Sequence, residues 1–178
     1  MKSSLSLLGI GFLCVTATAG NAPEPAAPNL HQLMKNVVAV QTQVIWDLGN
    51  QAQDDQGNPD ASKLKPTDWA RIIQASTQVK KAAETLAIAK HVRAAGPGEK
   101  LQSEGNPGAF GGKEVQAVID AKPEAFRAFA RALATSLDPV TAAARAKDAA
   151  KLFDSSGVID QICEDCHTQF WYPNQKNQ

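Results

Sequence analysis

The residues best suited to chemistry form one short pattern near the C-terminus, Cys163-Glu164-Asp165-Cys166-His167. Two thiols separated by two residues and followed at once by an imidazole form the C-x-x-C-H pattern that attaches c-type haem. Residues three and four apart share one face of a helix, so Cys163, Cys166 and His167 can all face one porphyrin. Each thiol then forms a thioether with a haem vinyl group, and the imidazole reaches the iron as the proximal ligand. The pattern predicts one covalently bound haem c.

Two simpler uses of the same cysteines stay open: a structural disulfide and half of a zinc site. A zinc site needs another pair of Cys or His ligands at ligand spacing, whereas the remaining histidines, His31 and His91, are isolated in the sequence. A disulfide does not need His167 beside the second cysteine. The complete five-residue pattern therefore favours haem over both alternatives.

The first 19 residues have the character of a cleaved signal peptide. Lys2 supplies a positive charge, residues 5–15 form an apolar run, and Ala17-Thr18-Ala19 is an A-x-A cleavage site. The run is too short to span a bilayer. Cys14 suggests a lipoprotein cysteine, but the leucine before it fits poorly, so we expect cleavage after Ala19 and no membrane attachment afterwards. Export to the periplasm, an oxidising compartment, fits thioether assembly there.

The rest of the chain has the length and charge of one domain. Roughly 160 residues remain after cleavage, which is enough to bury a core. The sequence has 18 basic and 18 acidic residues, and loss of Lys2 leaves about one net negative charge. This balance argues against a nucleic acid partner and against a strongly anionic membrane surface. A high alanine content and few alternating β-branched runs predict an all-α fold.

Apolar residues at helical spacing predict four amphipathic helices within residues 29–173. A flexible lead-in at residues 20–28 precedes them, and a short tail at residues 174–178 follows. The first helix begins at an N-cap, Asn29, and runs to about Gln51.

The second predicted helix is capped by Thr67 and runs to about Ala95. This span places His91 near the helix end, where a cation suits the helix dipole. A loop rich in Gly and Pro follows at residues 96–112. Loops of this length are often functional, but a plain tether between helices is an equal alternative.

A short helical segment at residues 113–120 leads into the third helix, which starts at Pro123. Its apolar stripe stays in phase through Pro139, so we expect one kinked helix rather than two. The fourth helix is capped by Asp148 and runs into the haem pattern. Its predicted apolar side consists of Leu152, Phe153, Ile159 and Ile162. Four such helices with a haem pattern on the last describe a haem-bearing bundle.

Several short motifs accompany the haem pattern in a recognisable order. They are Leu33-Met34-Lys35, Ile45-Trp46, Asp148 ahead of Leu152-Phe153, Gly157 ahead of the haem pattern, and the ending Phe170-Trp171-Tyr172-Pro173. On these motifs, over residues 29–173, the chain resembles the class II c-type cytochromes, the family of cytochrome c prime and its low-spin relatives.

The resemblance implies an antiparallel four-helix bundle with the covalent haem lodged between helices near one end. It implies thioether roles for Cys163 and Cys166 and the proximal role for His167. In low-spin members of that family, a methionine at the position matching Met34 is the distal iron ligand. In gas-binding members the same place is apolar and the iron is five-coordinate. Family members are often homodimers.

Met34 also has an ordinary explanation, because a methionine on an apolar stripe commonly fills a core. The resemblance favours ligation over core filling. His31, about one turn earlier, is a rival ligand, although we expect a surface position for it. Many members of the family carry a basic residue shortly after the haem histidine. Here Phe170 and Trp171 occupy that zone, so a basic group that tunes the haem or meets a partner there is not expected.

These features together predict a protein that is not an enzyme but an electron carrier, which exchanges single electrons with periplasmic redox partner proteins. Ligation by His167 and Met34 would saturate the iron, and a Met thioether favours ferrous iron and raises the potential. The alternative is a five-coordinate haem protein that binds nitric oxide or carbon monoxide. Peroxidase-like catalysis lacks support because no distal His/Arg pair is evident from the spacing.

Overall fold

The structure, a computed structural model, describes residues 26–102 and 104–173. The predicted signal peptide at 1–19, with Cys14, the tail at 174–178 and most of the lead-in at 20–28 lie outside the described residues. The described residues form helices and no β-strand, so the predicted all-α class is confirmed. None of the described helices is both long and apolar enough to cross a membrane.

The first helix, α1, is continuous but contains a π-helical turn. Its consecutive segments are Leu30–Leu33, the π turn Met34–Val38, and Ala39–Gln51. Asn29 caps the start, as predicted, because its side-chain oxygen accepts the backbone N–H of Gln32 at 3.2 Å. Within the π turn, the N–H of Ala39 donates to the carbonyl of Met34, five residues earlier.

The second helix, α2, spans Pro66–Ile88, and the predicted cap at Thr67 is wrong. Lys65 is the N-cap residue, because the following proline takes the first helical position, which it favours. The Asp68 carboxylate accepts the backbone N–H of Lys65 at 2.9 Å and so closes this end of the helix.

The predicted end of α2 near Ala95 is also wrong. Residues 89–95 leave the helix, and the carbonyl of Arg93 accepts the N–H of Leu30 at 2.8 Å instead. His91 is therefore an exposed residue beyond the helix and does not lie in its last turn.

Three further helices complete the chain: α3 (Gly112–Ala121), α4 (Pro123–Ala146) and α5 (Ala149–Phe170). Helix α4 contains Pro139 without a break, as predicted. Asp148 caps α5, as predicted, because its carboxylate accepts the backbone N–H of Lys151 at 3.0 Å.

The helices pack around one another in a bundle-like arrangement. Helix α2 makes its most extensive contact with α4, and α4 also packs on α5. Helix α1 packs on α2 and on α5, whereas the short α3 contacts α4 and α5. Each of these contacts buries an apolar stripe, which is the main source of stability for amphipathic helices.

Two apolar clusters make up the core. The larger one is centred on fully buried side chains from four helices: Ile45, Ile72, Leu137, Leu152 and Ile159. The smaller one includes Leu86, Val115, Ile119, Phe126 and Phe170. Phe153, predicted to be on the apolar side of α5, is 50% exposed and belongs to neither cluster. Leu33 and Met34 of α1 pack against both clusters, so they mark the junction between the two.

Candidate functional site

The cysteines and the histidine of the C-x-x-C-H pattern lie in the last two turns of α5. Cys163 and Cys166 are free thiols, each half-buried, and they share a face because they are three residues apart. Cys163 packs against the larger core cluster, and Cys166 packs against the smaller one. The pattern therefore spans the junction of the two clusters.

Burial keeps both thiols protonated. Desolvation, helped by the charge of Asp160, raises the pKa of Cys163 to about 11. Desolvation, helped by Cys163, raises the pKa of Cys166 to about 12. Reactive cysteines have lowered pKa values, so these two are poorly suited to act as thiolate nucleophiles. Their surroundings suit an apolar group held against α5.

His167 follows Cys166 directly and is neutral at neutral pH. Burial lowers the pKa of its imidazole, and the Glu164 carboxylate opposes this to a smaller extent. A neutral imidazole has a ring nitrogen with a free lone pair, which is the form that binds a metal ion. The protonation state of His167 is therefore already the one that ligation requires.

Aromatic side chains flank the His167 ring. Trp171 packs edge-on against it, with 5.2 Å between ring centroids, and Tyr172 stacks on Trp171 at 4.5 Å. The N–H of Phe110 donates to the carbonyl of Trp171 at 2.9 Å, which fastens the end of the 96–112 loop to the end of α5. The indole Nε1 of Trp171 is buried and has no hydrogen-bond partner among the described residues. Most buried donors in proteins do have a partner, so this N–H is unusual among the described residues.

Met34 lies at the same end of the molecule as the haem pattern. Residues 43–50 of α1 share a groove with residues 153–160 of α5. The first turns of α1 share the smaller cluster with the last turns of α5, so the two helices run in opposite directions. The Met34 side chain is half-buried and contacts the same two clusters as Cys163 and Cys166. Met34 and the two cysteines thus pack against the same pair of clusters.

The π turn begins at Met34 itself. A π turn inserts one extra residue into a helix, is rare, and occurs often at functional sites. It rotates the first turn of α1 relative to the Ala39–Gln51 segment and so sets the direction of the Met34 side chain.

The segment that follows α2 holds the start of α1. The carbonyl of Arg93 accepts the N–H of Leu30, and residue 93 forms an isolated parallel β-bridge with Asn29. The Gln116 side chain of α3 holds this segment from its other side, because it accepts the N–H of Ala94 at 2.8 Å. An N-terminal N–H of α1 that has no partner within its helix is thus satisfied by a distant part of the chain.

Glu99 adds a carboxylate to this attachment. Its Oε2 accepts Asn29 Nδ2–H at 2.8 Å and the Gly96 N–H at 2.6 Å, and its Oε1 accepts Gln32 Nε2–H. The Asn29 bond, followed by the Gly96 and Gln32 bonds, lowers the pKa of Glu99 to about 2. We call the contact of residues 93–99 with Asn29–Gln32 the α1 clasp.

The two other histidines lie outside the haem pattern. His31 is half-buried in the first turn of α1, where its backbone N–H donates to the carbonyl of Ala94 at 3.1 Å. His91 lines an open cavity of about 460 Å³ with Ile119 and Phe126. Across residues 26–102 and 104–173, no group of three or more His, Cys, Asp or Glu side chains is arranged to hold a bare metal ion.

The sequence proposed the cysteines, His167 and Met34 as site residues and placed Trp171 beside them, but it did not predict how these residues are held. The π turn, Glu99 and the buried indole of Trp171 carry no local sequence signal, since each depends on contacts across the fold. No protein-family model, no curated protein and no solved structure matches this chain.

Proposed function

We propose that this chain is a periplasmic c-type cytochrome that carries single electrons through one covalently bound haem c. Cys163 and Cys166 hold the haem by thioether bonds, His167 is the proximal iron ligand, and Met34 is the distal ligand. The observation that carries the proposal is the placement of two free thiols and a neutral imidazole on one half-buried face of α5. When bound, the haem supplies a one-electron redox centre whose potential a Met ligand raises.

The side chains around the pattern fit a porphyrin in three respects. The thiols are protonated and lie against apolar side chains of both clusters. His167 is neutral and therefore able to ligate. The buried Trp171 Nε1–H is available to an acceptor on a bound group. Of the three, the unpartnered indole N–H is the feature that burial alone leaves unexplained.

We extend the proposal to the architecture. Helices α1, α2, α4 and α5 form an antiparallel four-helix bundle, and the haem lies between helices near the end that carries Met34 and the pattern. The contacts between successive members, and between α1 and α5, support a closed ring of four. Helix α5 packs on the Ala39–Gln51 part of α1, whereas the π turn packs chiefly on α2. This difference favours a wider gap between α1 and α5 at the Met34 end, which is where the proposed haem lies.

Two protein ligands make the site an electron carrier rather than an enzyme. With His167 and Met34 both bound to the iron, no coordination position is left for a substrate. The partners we propose are periplasmic redox proteins, which the chain meets after export directed by residues 1–19 and cleavage after Ala19.

A gas-binding haem protein is the second candidate, and one observation favours it. Met34 lies on a π turn, whose hydrogen bonding is less regular than that of an α-helix. A distal ligand on such a turn can leave the iron more readily than one on a regular helix. The second candidate requires an iron that is five-coordinate in the resting protein.

Covalent attachment is tested by the intact mass of the exported protein, expressed in a host with a c-type haem maturation system. We expect a mass increased by one haem that persists after acid denaturation and solvent extraction. The variant with both Cys163→Ser and Cys166→Ser should lose this increment, whereas Cys14→Ser should retain it. An unmodified mass for the parent protein, with Cys163 and Cys166 joined in a disulfide, would overturn the proposal.

A further inference from the structure

We infer that Glu99 is a positioning residue for Met34, which acts through the α1 clasp to keep the Met34 thioether directed at the haem site. The inference rests on the proposed function, since it takes Met34 as the distal ligand. Glu99 is 70 residues away from Asn29 in sequence, yet it bonds to the side chain that caps α1.

Within the clasp, Asn29 both caps α1 and connects the helix to Glu99. Asn29 Oδ1 accepts the N–H of Gln32, which is the helix cap, while Asn29 Nδ2 donates to Glu99. Gln32 Nε2 donates to the other oxygen of the same carboxylate. Hydrogen bonds to an ionised carboxylate are stronger than neutral ones. The start of α1 is thereby held at its cap, Asn29, and at Gln32, which is two residues before Met34.

The hydrogen bonds continue from the clasp into the π turn. Gln32 Oε1 accepts Asn36 Nδ2–H at 2.6 Å, and Asn36 lies within the Met34–Val38 turn. Glu99, Gln32 and Asn36 therefore form one chain of bonds along the side of α1. Met34 lies between the last two of these residues in sequence.

The π turn allows two arrangements of the first turn of α1, and the clasp favours one of them. If the extra residue were absorbed and α1 became regular, the first turn would rotate by about 100° relative to the Ala39–Gln51 segment, the angle of one helical residue. Met34 would then leave the junction of the two clusters. Bonds that fix Asn29 and Gln32 against residues 96–99 oppose this rotation, so the clasp favours the register in which Met34 faces the site.

The test compares carbon monoxide binding by the reduced, haem-loaded protein and its variants. Met34→Leu defines the fully open site. We expect Glu99→Ala to raise the apparent affinity for carbon monoxide about tenfold over the parent protein and to increase the high-spin fraction, because the open register becomes more populated. Glu99→Gln keeps one carbonyl oxygen, so its affinity for carbon monoxide should lie between those of the parent protein and Glu99→Ala.

Glu104→Ala is the matched control, because it removes a carboxylate from the same loop. Glu104 accepts the N–H of Leu101 at 3.1 Å within its own turn, and its bonds do not reach α1. We expect this variant to bind carbon monoxide as the parent does. If Glu99→Ala does not fold, Gln32→Leu replaces it, since this change breaks the bonds to both Glu99 and Asn36.

The outcomes separate the inference from the proposed function. If Met34→Leu opens the iron but Glu99→Ala and Gln32→Leu only lower the melting temperature, Glu99 has a structural role and the inference is overturned while the function stands. If Met34→Leu itself leaves the spectrum and the gas inertness unchanged, the distal role of Met34 fails, and the inference fails with it.

Discussion

At the scale of single residues, both proposed iron ligands are uncharged side chains supplied by the two ends of the chain. Burial keeps His167 neutral, and the Met34 thioether carries no charge. Neither ligand needs to lose a proton when the iron is bound, so we expect little dependence of ligation on pH near neutrality. This arrangement suits a haem iron that gains or loses an electron without a coupled proton transfer at its ligands.

Replacement of Met34 by leucine tests the distal role. Leucine keeps the apolar volume that packs against both clusters, so the fold should survive. We expect the iron to become high-spin, to bind carbon monoxide and to show a lower reduction potential, as measured by visible absorption and redox titration.

His31→Ala is the control for Met34→Leu. The contact of His31 with Ala94 uses its backbone N–H, which alanine retains. We therefore expect an unchanged low-spin spectrum for His31→Ala. If this variant, rather than Met34→Leu, opened the iron, the distal assignment would pass to His31 and Met34 would be a core residue.

The residues of the C-x-x-C-H pattern could be proposed as a site from the sequence because the pattern depends only on local spacing. Cys163, Cys166 and His167 need only one helix to share a face. Glu99 and Trp171 could not be predicted in this way. The role of Glu99 depends on a partner 70 residues away, and the buried indole of Trp171 depends on how several segments pack around the end of α5.

At the scale of helices, the sequence located all the main elements, and the wrong end predicted for α2 has a physical cause. The alanine-rich run favoured a second helix as far as Ala95, but α2 ends at Ile88. The carbonyls of Arg93 and Ala94 instead satisfy N-terminal N–H groups of α1. These tertiary hydrogen bonds outweigh the helix propensities of residues 89–95. Among ordinary residues such propensities differ by only about a few tenths of a kcal/mol per residue.

The π turn is the feature of α1 that no sequence rule predicts. The segment Met34–Val38 contains neither proline nor glycine, so nothing in its composition marks an irregular turn. Helix α4 shows the converse, because the proline inside it leaves a continuous helix whose apolar stripe stays in phase. The presence or absence of proline therefore does not by itself decide where a helix is irregular.

The cap of α5 provides a test that separates stability from the site. Asp148 accepts the Lys151 N–H and pairs with its side chain at 2.8 Å, at the opposite end of α5 from the haem pattern. We expect Asp148→Ala to lower the melting temperature by about 3 °C and to leave the visible spectrum unchanged.

Asp154→Ala, which removes an exposed carboxylate from the same helix, is the control for the cap. It should leave the melting temperature near that of the parent protein, as measured by circular dichroism. Equal losses in the two variants would show that net charge, not capping, stabilises the start of α5.

At the scale of the whole molecule, the candidate site lies where the two core clusters meet. Met34 contacts both clusters, Cys163 contacts one and Cys166 the other. A group bound beside these three side chains would therefore lie close to both clusters. Composition predicted the all-α class, which is confirmed, and apolar stripes predicted the helices. Neither specifies which helices become neighbours, because any apolar stripe can pack against any other.

The measurement that tests the account most directly is the visible spectrum of the reduced protein before and after addition of carbon monoxide. Covalent haem ligated by His167 and Met34 predicts sharp low-spin bands that the gas does not change, because both axial positions are filled. A high-spin spectrum that shifts with carbon monoxide would contradict the electron-carrier proposal and favour the gas-binding candidate. A reduced protein without haem absorption would contradict both.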